Sequence, residues 1–172
     1  ASGSKFTYTM DLAYVGVSQT TTIFRRESNT ALDQTSELNV GEESYFLIYN
    51  TKSGGYLNAS GTNVDQSTLS DFNSLGTHSV WQLIVNGNSY YIKNVETGTY
   101  MQKLEKNSTV IKLGSNPVAF TLKQKEVKSG RLRYYYIQLV SNSRYVSVDG
   151  QSVPSTSQDN DKTYFHFYKV VK

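Results

Sequence analysis

The hydrophobic and polar positions of this chain follow one short pattern that occurs three times between residues 45 and 172. Each copy begins with alternating apolar positions, passes through a turn of Asn, Ser, Thr and Gly, and returns in a second apolar strand. The anchoring isoleucines are Ile48, Ile92 and Ile137, and each is followed eight positions later by a tyrosine. Alternation on both sides of such a turn predicts a β-hairpin in each copy.

Each copy also closes on a strand in which aromatic and polar positions alternate. These strands cover residues 80–83, 119–122 and 164–167, and no segment shows a helical stripe of useful length. The chain is therefore predicted to be all-β. Period-two alternation places the large apolar side chains of a strand on one face. We expect a core built from Ile48, Tyr56, Leu57, Trp81, Leu83, Ile92, Tyr100, Met101, Phe120, Leu122, Ile137, Tyr145, Phe165 and Phe167.

Three copies are too few for a β-propeller, which needs four or more blades, and they resemble a β-trefoil instead. The stretch from Trp81 to Met101 is similar to the signature of ricin-type trefoil lectins. In that family a Trp strand leads to an aromatic-x-Ile-x-Asn strand and then to Ser/Thr-Gly-x-x-Leu. Fascin-like trefoils share much of this pattern. The resemblance implies a β-trefoil with three internal repeats over residues 45–172.

Residues 1–44 lie outside the repeats and predict a different element. Apolar and polar positions alternate over residues 6–12, and two further apolar segments, 15–17 and 22–24, flank a polar turn. Residues 27–44 are polar, contain no aromatic side chain and are typical of a linker. We predict an N-terminal β-hairpin appendage that docks on the trefoil or on a neighbouring domain, because a lone hairpin is only marginally stable.

Composition and motifs exclude several classes of function. The chain contains no cysteine, which rules out disulfides, thiolate metal sites and cysteine nucleophiles. No apolar run approaches the length of a membrane span, and a net charge of +3 is small for a nucleic-acid binder. Residues 1–4 lack the regions of a signal peptide, so a secreted protein would already have lost it. Neither a cofactor nor a metal ion is expected.

Catalytic motifs are also missing from the sequence. Of the two histidines, His78 lies in a polar loop and His166 alternates with Phe165 and Phe167, which predicts that its side chain faces solvent. The sequence has no Gly-x-Ser-x-Gly elbow, no His-Glu-x-x-His and no phosphate-binding glycine loop. A pair of carboxylates needs no motif to meet in space, but nothing favours one. We therefore predict that the chain is not an enzyme.

The resemblance also implies where a sugar would bind. In ricin-type lectins an Asp directly after the Gly-x-x-Leu strand starts the site, and a later aromatic and an Asn complete it. The equivalent positions here are Asn58, Gln102 and Ser147, with Asp149 slightly further on. The Gln that the family places two residues before its Trp is also replaced in every copy, so the binding triad is mostly absent.

Two clusters of candidate ligand-binding residues remain. The first is Asp149 with Asn160 and Asp161, and the second is Asn58. Carboxylates and amides of this kind hydrogen-bond sugar hydroxyls. Ordinary turn chemistry explains the same residues without a ligand, because Asn and Asp favour turns.

A basic hairpin between the second and third copies is a separate candidate. Its cations include Lys123, Lys125, Arg131 and Arg133, and three tyrosines follow at residues 134–136. Such a group could contact a sulfated glycan, another anionic polysaccharide or, less in keeping with the small net charge, a nucleic acid. A solvent-facing basic ribbon that discourages edge-to-edge aggregation is the simpler interpretation.

Together these features predict a non-catalytic, lectin-like carbohydrate-binding module that is accessory to a secreted or cell-surface protein. Its partners would be a glycan or polysaccharide, which could be anionic, and a neighbouring domain or a protein partner. The alternative is a protein-interaction or architectural β-trefoil of the fascin-like or inhibitor-like kind without sugar binding.

Overall fold

The computed structural model describes residues 22–27, 38–127 and 132–172. The predicted strands at residues 6–12 and 15–17, most of the linker and Arg131 lie outside the described residues. Within them the strands are β1 (Arg25–Arg26), β2 (Ser44–Asn50), β3 (Gly55–Ser60), β4 (Asn63–Ser67), β5 (Trp81–Asn86), β6 (Ser89–Asn94), β7 (Tyr100–Met101), β8 (Leu113–Gly114), β9 (Phe120–Val127), β10 (Leu132–Leu139), β11 (Tyr145–Val146), β12 (Ser155–Thr156) and β13 (His166–Val171). Two short 3₁₀ helices, η1 (Thr77–Ser79) and η2 (Asp161–Thr163), precede β5 and β13.

Six of these strands close into a barrel. Antiparallel pairing runs from β13 to β2, β5, β6, β9 and β10. The ring is completed by two backbone hydrogen bonds between β10 and the residue that precedes β13. The N–H of Tyr135 donates to the carbonyl of Phe165 (2.8 Å), and the N–H of Phe165 donates to the carbonyl of Tyr135 (2.9 Å). Closure pairs strands that would otherwise be open sheet edges.

Three hairpins, one from each repeat, cover one end of this barrel. They are β3–β4, β7–β8 and β11–β12. Backbone hydrogen bonds join hairpins of different repeats: Val64 donates to Ile111 (2.8 Å), and Ile111 donates to Val153 (2.9 Å). A six-stranded barrel capped by three hairpins, built from three sequence repeats, is the β-trefoil that the repeat pattern predicts.

The main core fills the barrel and the underside of the hairpins. Trp81 is fully buried, and its indole N–H donates to the carbonyl of Leu57 (2.9 Å). Most of the predicted anchors lie in this cluster, but Tyr100, Leu122 and Tyr145 are only half-buried. The register places predicted anchors opposite each other: Ile48 with Phe167, Leu83 with Ile92, and Leu122 with Ile137.

A second apolar cluster lies outside the barrel on the face of β2 and β13. Its buried members are Phe24, Leu47, Tyr56, Leu75, Val80, Tyr168 and Val170. The prediction that His166 faces solvent is wrong, because it is 1% exposed and its ring lies 4.4 Å from that of Tyr168. Large aromatics on the outer face bury a strand position that alternation alone assigns to solvent.

The N-terminal segment of residues 22–27 covers this second cluster. Phe24 is buried, and the strand β1 pairs with the end of β13. The guanidinium of Arg26 lies 4.3 Å from the centre of the Phe72 ring and 5.8 Å from that of Tyr168. A cation over aromatic faces is stabilising, and more so when water is excluded. The proposed division of the chain at residue 45 stays a prediction.

Candidate functional site

A cleft of about 270 Å³ lies where the third repeat meets the first. One wall is the turn after β11, and the other is formed by the turn after β2 together with η2. The lining residues are Lys52, Ser53, Val148, Asp149, Gly150 and Lys162. The cleft therefore includes Asp149, the leading candidate of the sequence analysis.

The turn at residues 149–152 presents Asp149 to solvent. The backbone N–H groups of Asp149 and Ser152 each donate to the other residue's carbonyl (2.9 Å for both). Gly150 has a φ of 61°, which a residue without a Cβ adopts at little cost. Just before the turn, the N–H of Val148 donates to the carbonyl of Lys162 (3.1 Å), which fixes the distance between the turn and η2.

The 3₁₀ helix η2 is held in place by Asn160. The side-chain oxygen of Asn160 accepts from the N–H of Lys162 (2.9 Å), and the backbone N–H of Asn160 donates to Oγ1 of Thr163 (2.9 Å). This reciprocal arrangement is a capping box. Asn160 thus orients the backbone that carries Lys162, and its side-chain oxygen is directed at that backbone.

Asp161 lies beside the cleft and forms an ion pair with Lys52, which lines it. Its carboxylate is 3.7 Å from the ammonium of Lys52, and both side chains are more than half exposed. An exposed pair of this kind contributes at most about 1 kcal/mol. The structure brings Asp149, Asn160 and Asp161 into one region with three different roles, and their binding of a ligand stays a prediction.

Gln66 joins the two walls from beneath. It is 5% exposed, its Oε1 accepts from Oγ of Ser53 (2.7 Å), and its Nε2 donates to the carbonyl of Gly150. Gly55 makes room for this side chain, because a Cβ at that position would collide with Oε1 of Gln66. Gln66 is not among the residues predicted from the sequence. It lies two positions after buried Val64 on the same face of β4, and that spacing indicates an inward-facing position.

Tyr136 holds the segment before η2 from the outer side. Its hydroxyl donates to the carboxylate of Asp159 at 2.6 Å, and its side chain is 6% exposed. Burial, followed by this hydrogen bond, raises the pKa of the Tyr136 phenol well above its ordinary value. The hydroxyl therefore keeps its proton and continues to donate throughout the neutral and mildly alkaline range.

In repeat one, Asn58 is the equivalent of Ser147, two residues before Asp149 in repeat three, and it is buried. It is 4% exposed, and its oxygen accepts from Oγ of Ser79 at 2.7 Å. Its amide nitrogen donates to Oγ of Ser67 (2.7 Å) and to the Asp65 carboxylate (3.4 Å). The side chain that was predicted to bind ligand is thus directed into the protein. A direct contact between Asn58 and a ligand stays a prediction without geometric support.

Repeat two has an amide with internal partners at the same position. The nitrogen of Gln102 donates to the carbonyls of Tyr100 (2.9 Å) and Asn116 (2.8 Å). The repeats therefore differ where a ricin-type lectin would place its sugar-binding acid.

The basic hairpin does not form one cationic cluster. Lys125 is opposite Tyr134 in the register and Lys123 is opposite Tyr136, so these residues share a face. Arg133 alternates with Tyr134 along β10 and lies on the other face. The ammonium of Lys125 lies 5.8 Å from the centre of the Tyr164 ring. The candidate anionic site is thereby divided, with Arg131 outside the described residues.

Neither a metal site nor a membrane span is found in the described ranges. No group of three or more metal-ligating side chains lies together there. No helix within those ranges is long and apolar enough to cross a membrane.

At the level of sequence, no protein-family model and no curated protein matches this chain. Solved structures are nevertheless similar in fold. The ricin B-like lectin of Macrolepiota procera in complex with lactose superimposes with a TM-score of 0.62 at 12% identity, over 77% of this chain and 99% of that one. The BEL β-trefoil gives 0.62 at 14% identity, over 80% and 99%.

A third similar structure is an enzyme that contains such a fold. The endo-β-galactosidase of Clostridium perfringens that releases GlcNAcα1-4Gal aligns with a TM-score of 0.60 at 15% identity. The alignment covers 73% of this chain but 32% of that one. The chain described here is thus a β-trefoil whose architecture is that of the ricin B-like lectins.

Proposed function

We propose that this chain is a non-catalytic carbohydrate-binding module and that its sugar-binding site is the cleft at Asp149. The single observation that carries the proposal is the position of this cleft. It lies on a trefoil similar to lectins, at the repeat turn where the resemblance places a sugar, and it exposes a carboxylate. In the other two repeats the residue at the position of Ser147, two before Asp149, is an amide with internal partners, Asn58 or Gln102.

The lining suits the hydrogen-bonding needs of a sugar. The Asp149 carboxylate can accept from two vicinal hydroxyls, and the ammonium groups of Lys52 and Lys162 can donate to ring or hydroxyl oxygens. Charge-assisted hydrogen bonds are about twice as strong as neutral ones. An open cleft of this size accommodates a terminal or side-chain sugar residue better than an enclosed ligand.

Binding without catalysis fits the surroundings of the two acids. A glycosidase needs one carboxyl group that stays protonated, which requires apolar surroundings. Asp149 and Asp161 are both exposed, and Asp161 faces Lys52. Neither acid therefore lies in apolar surroundings of that kind, and both are placed to accept hydrogen bonds.

The wider setting that we propose is an accessory role in a secreted or cell-surface protein. The similarity to about a third of an endo-β-galactosidase supports it, since there a fold of this kind belongs to a longer chain. A carbohydrate ligand outside the cell is the corresponding partner.

A glycan array combined with amide mapping tests the proposal. We expect binding of at least one glycan, with ¹⁵N-amide shifts centred on Asp149, Gly150 and Lys162. Asp149→Ala should weaken binding by about tenfold, because a charge-assisted hydrogen bond is lost. The matched control is Asp71→Ala, which removes an exposed carboxylate from the loop before η1, outside the cleft lining. This variant should bind glycan normally. Silence on neutral and acidic glycans alike would overturn the proposal.

The second candidate is a protein-interaction trefoil without sugar binding. The observation that favours it is the internal bonding of Asn58 and Gln102, which leaves their amides directed at protein groups. A purified partner that binds with defined stoichiometry, while no glycan shifts the cleft amides, would select this function over the first.

A further inference from the structure

The side chains of the cleft carry more positive than negative charge. Lys52 and Lys162 are the cations among the lining residues, and Asp149 is the anion. Asp161 neutralises part of the charge of Lys52, because it pairs with that ammonium at 3.7 Å. Lys162 stands on the same wall as Lys52, where the capped helix η2 holds its backbone, and faces the turn that carries Asp149. With Asp161 counted, the two lysines and the two aspartates balance, and Lys162 is the lining cation that is not paired with Asp161.

The lining also offers no ring on which a sugar could stack. None of the lining residues in the described part of the chain is aromatic, and the apolar member, Val148, is 2% exposed. Aromatic side chains supply large apolar contact area together with a polar edge. A neutral sugar would have to bind here through exposed hydrogen bonds, which compete with water and contribute little.

From these observations we propose that the cleft selects an acidic sugar, that is, a pyranose that carries a carboxylate. The sugar carboxylate pairs with the ammonium of Lys162 on one wall. Ring hydroxyls donate to the carboxylate of Asp149 on the other wall. This inference rests on the proposed function and adds the chemical class of the ligand.

The Asp149 carboxylate makes the cleft more than a general anion site. A simple anion meets repulsion from Asp149 and gains a contact with the lysines alone. A ligand that brings both a carboxylate and hydroxyl groups satisfies both walls. Acetate, which has the charge but no hydroxyls, therefore separates the two interpretations.

Three probes in ¹⁵N-amide titrations test this selectivity: galactose, galacturonic acid and acetate. At low ionic strength we expect galacturonic acid to bind about fivefold more tightly than galactose, the upper range for an exposed ion pair. Acetate should bind more weakly than galacturonic acid. Raising the salt from ~20 mM to ~500 mM should remove most of the preference, since exposed charges are screened.

Charge-removing variants locate the preference in the cleft. Lys162→Gln should reduce the ratio between the two sugars to near one, because galacturonic acid loses its ion pair whereas galactose loses at most a hydrogen bond. Lys123→Gln removes an exposed lysine of β9 outside the cleft lining and should leave the ratio unchanged.

Equal binding of the two sugars, or a preference that survives Lys162→Gln, would overturn the acidic-sugar inference and leave sugar binding intact. Acetate binding as tight as that of galacturonic acid would reduce the site to a simple anion site. If neither sugar shifts the amides at Asp149, Gly150 and Lys162, the inference and the proposed cleft fail together.

Discussion

Repeats one and three follow the same sequence pattern but differ at their hairpins. In repeat one, β3 and β4 pair over five residue pairs, and Asn58 is enclosed by Ser67 and Ser79. In repeat three, β11 and β12 pair over only two, and the longer intervening turn exposes Asp149. The long hairpin of repeat one pairs its polar side chain internally, whereas the short hairpin of repeat three leaves a turn that forms a cleft wall. Hairpin length alone does not decide this, because β7–β8 of repeat two also pairs over two residue pairs and its Gln102 bonds internally.

The largest loss of stability is expected when the buried Asn58 side chain of repeat one is removed. Asn58→Ala removes three side-chain hydrogen bonds and leaves the fully buried hydroxyl of Ser79 without its acceptor. We expect a loss of about 3 kcal/mol in the free energy of unfolding, measured by urea denaturation. Asp149→Ala, in the exposed turn of repeat three, should change the free energy of unfolding by less than about 0.5 kcal/mol. Similar losses in the two variants would contradict the contrast between the repeats.

The stability of the fold at alkaline pH should also reflect the burial of Tyr56 in repeat one. Burial raises the pKa of Tyr56 from 10.0 to about 12, with the neighbouring Tyr49 adding to the rise and Arg26 opposing it. Between these values the unfolded chain loses the phenolic proton while the folded chain keeps it, so stability is present below pH 10 and falls as pH rises towards 12. The expected loss is about 2–3 kcal/mol.

Denaturation at several alkaline pH values measures this loss, and Tyr56→Phe should remove that part of it. An unchanged pH dependence in Tyr56→Phe would show that another group is responsible.

An intermediate loss of stability is expected at Gln66, whose side chain bonds to a residue on each wall of the cleft. Gln66→Ala removes the bonds to Ser53 and Gly150, and we expect a loss of about 2 kcal/mol in stability. It should also weaken ligand binding by about threefold, since both partners line the cleft. Gly55→Ala should act in the same direction by displacing the Gln66 side chain.

The matched control for Gln66→Ala is Gln102→Ala, which removes an amide of repeat two that does not line the cleft. Calorimetric titration should give wild-type affinity for this variant. Unaltered affinity in Gln66→Ala would show that the walls hold their spacing without it.

The smallest loss of stability is expected when the Tyr136 hydroxyl of repeat three is removed. Tyr136→Phe removes the hydroxyl that donates to Asp159, and we expect a loss of about 1 kcal/mol. Hydrogen exchange should accelerate at residues 157–160, which that bond tethers. Tyr145→Phe, on a ring 5.2 Å from that of Tyr136, is the control. Equal changes in both variants would assign the effect to packing instead of the hydrogen bond.

The trefoil was predictable because its anchors are large, apolar and regularly spaced. Trp81, Ile92 and Ile137 all lie in the main core, since burial of such side chains outweighs local preferences. The outer face was less predictable. Alternation assigned His166 to solvent, but Tyr134 and Tyr168 pack beside it. Tyr56 was expected in the main core and lies in the second cluster.

The candidate site was predictable only in part. Asp149 could be found from the repeat turn, but Lys52, Gln66 and Lys162 come to it from segments far apart in the chain. No local pattern shows that such segments meet, because barrel closure brings them together. The internal bonds of Asn58 likewise depend on Ser79, which lies in another element.

The pairing of residues 22–27 with β13 also sets an order of events during synthesis. Phe24 packs in one cluster with Tyr168 and Val170, and Arg26 lies opposite Val170. A ribosome makes Phe24 well before Val170, so the first partner waits until the repeats between them have emerged. β13 also closes the barrel against β2. Contacts between such distant positions form slowly, because a long loop must close first. β13 therefore completes the barrel and joins the outer cluster in the same step.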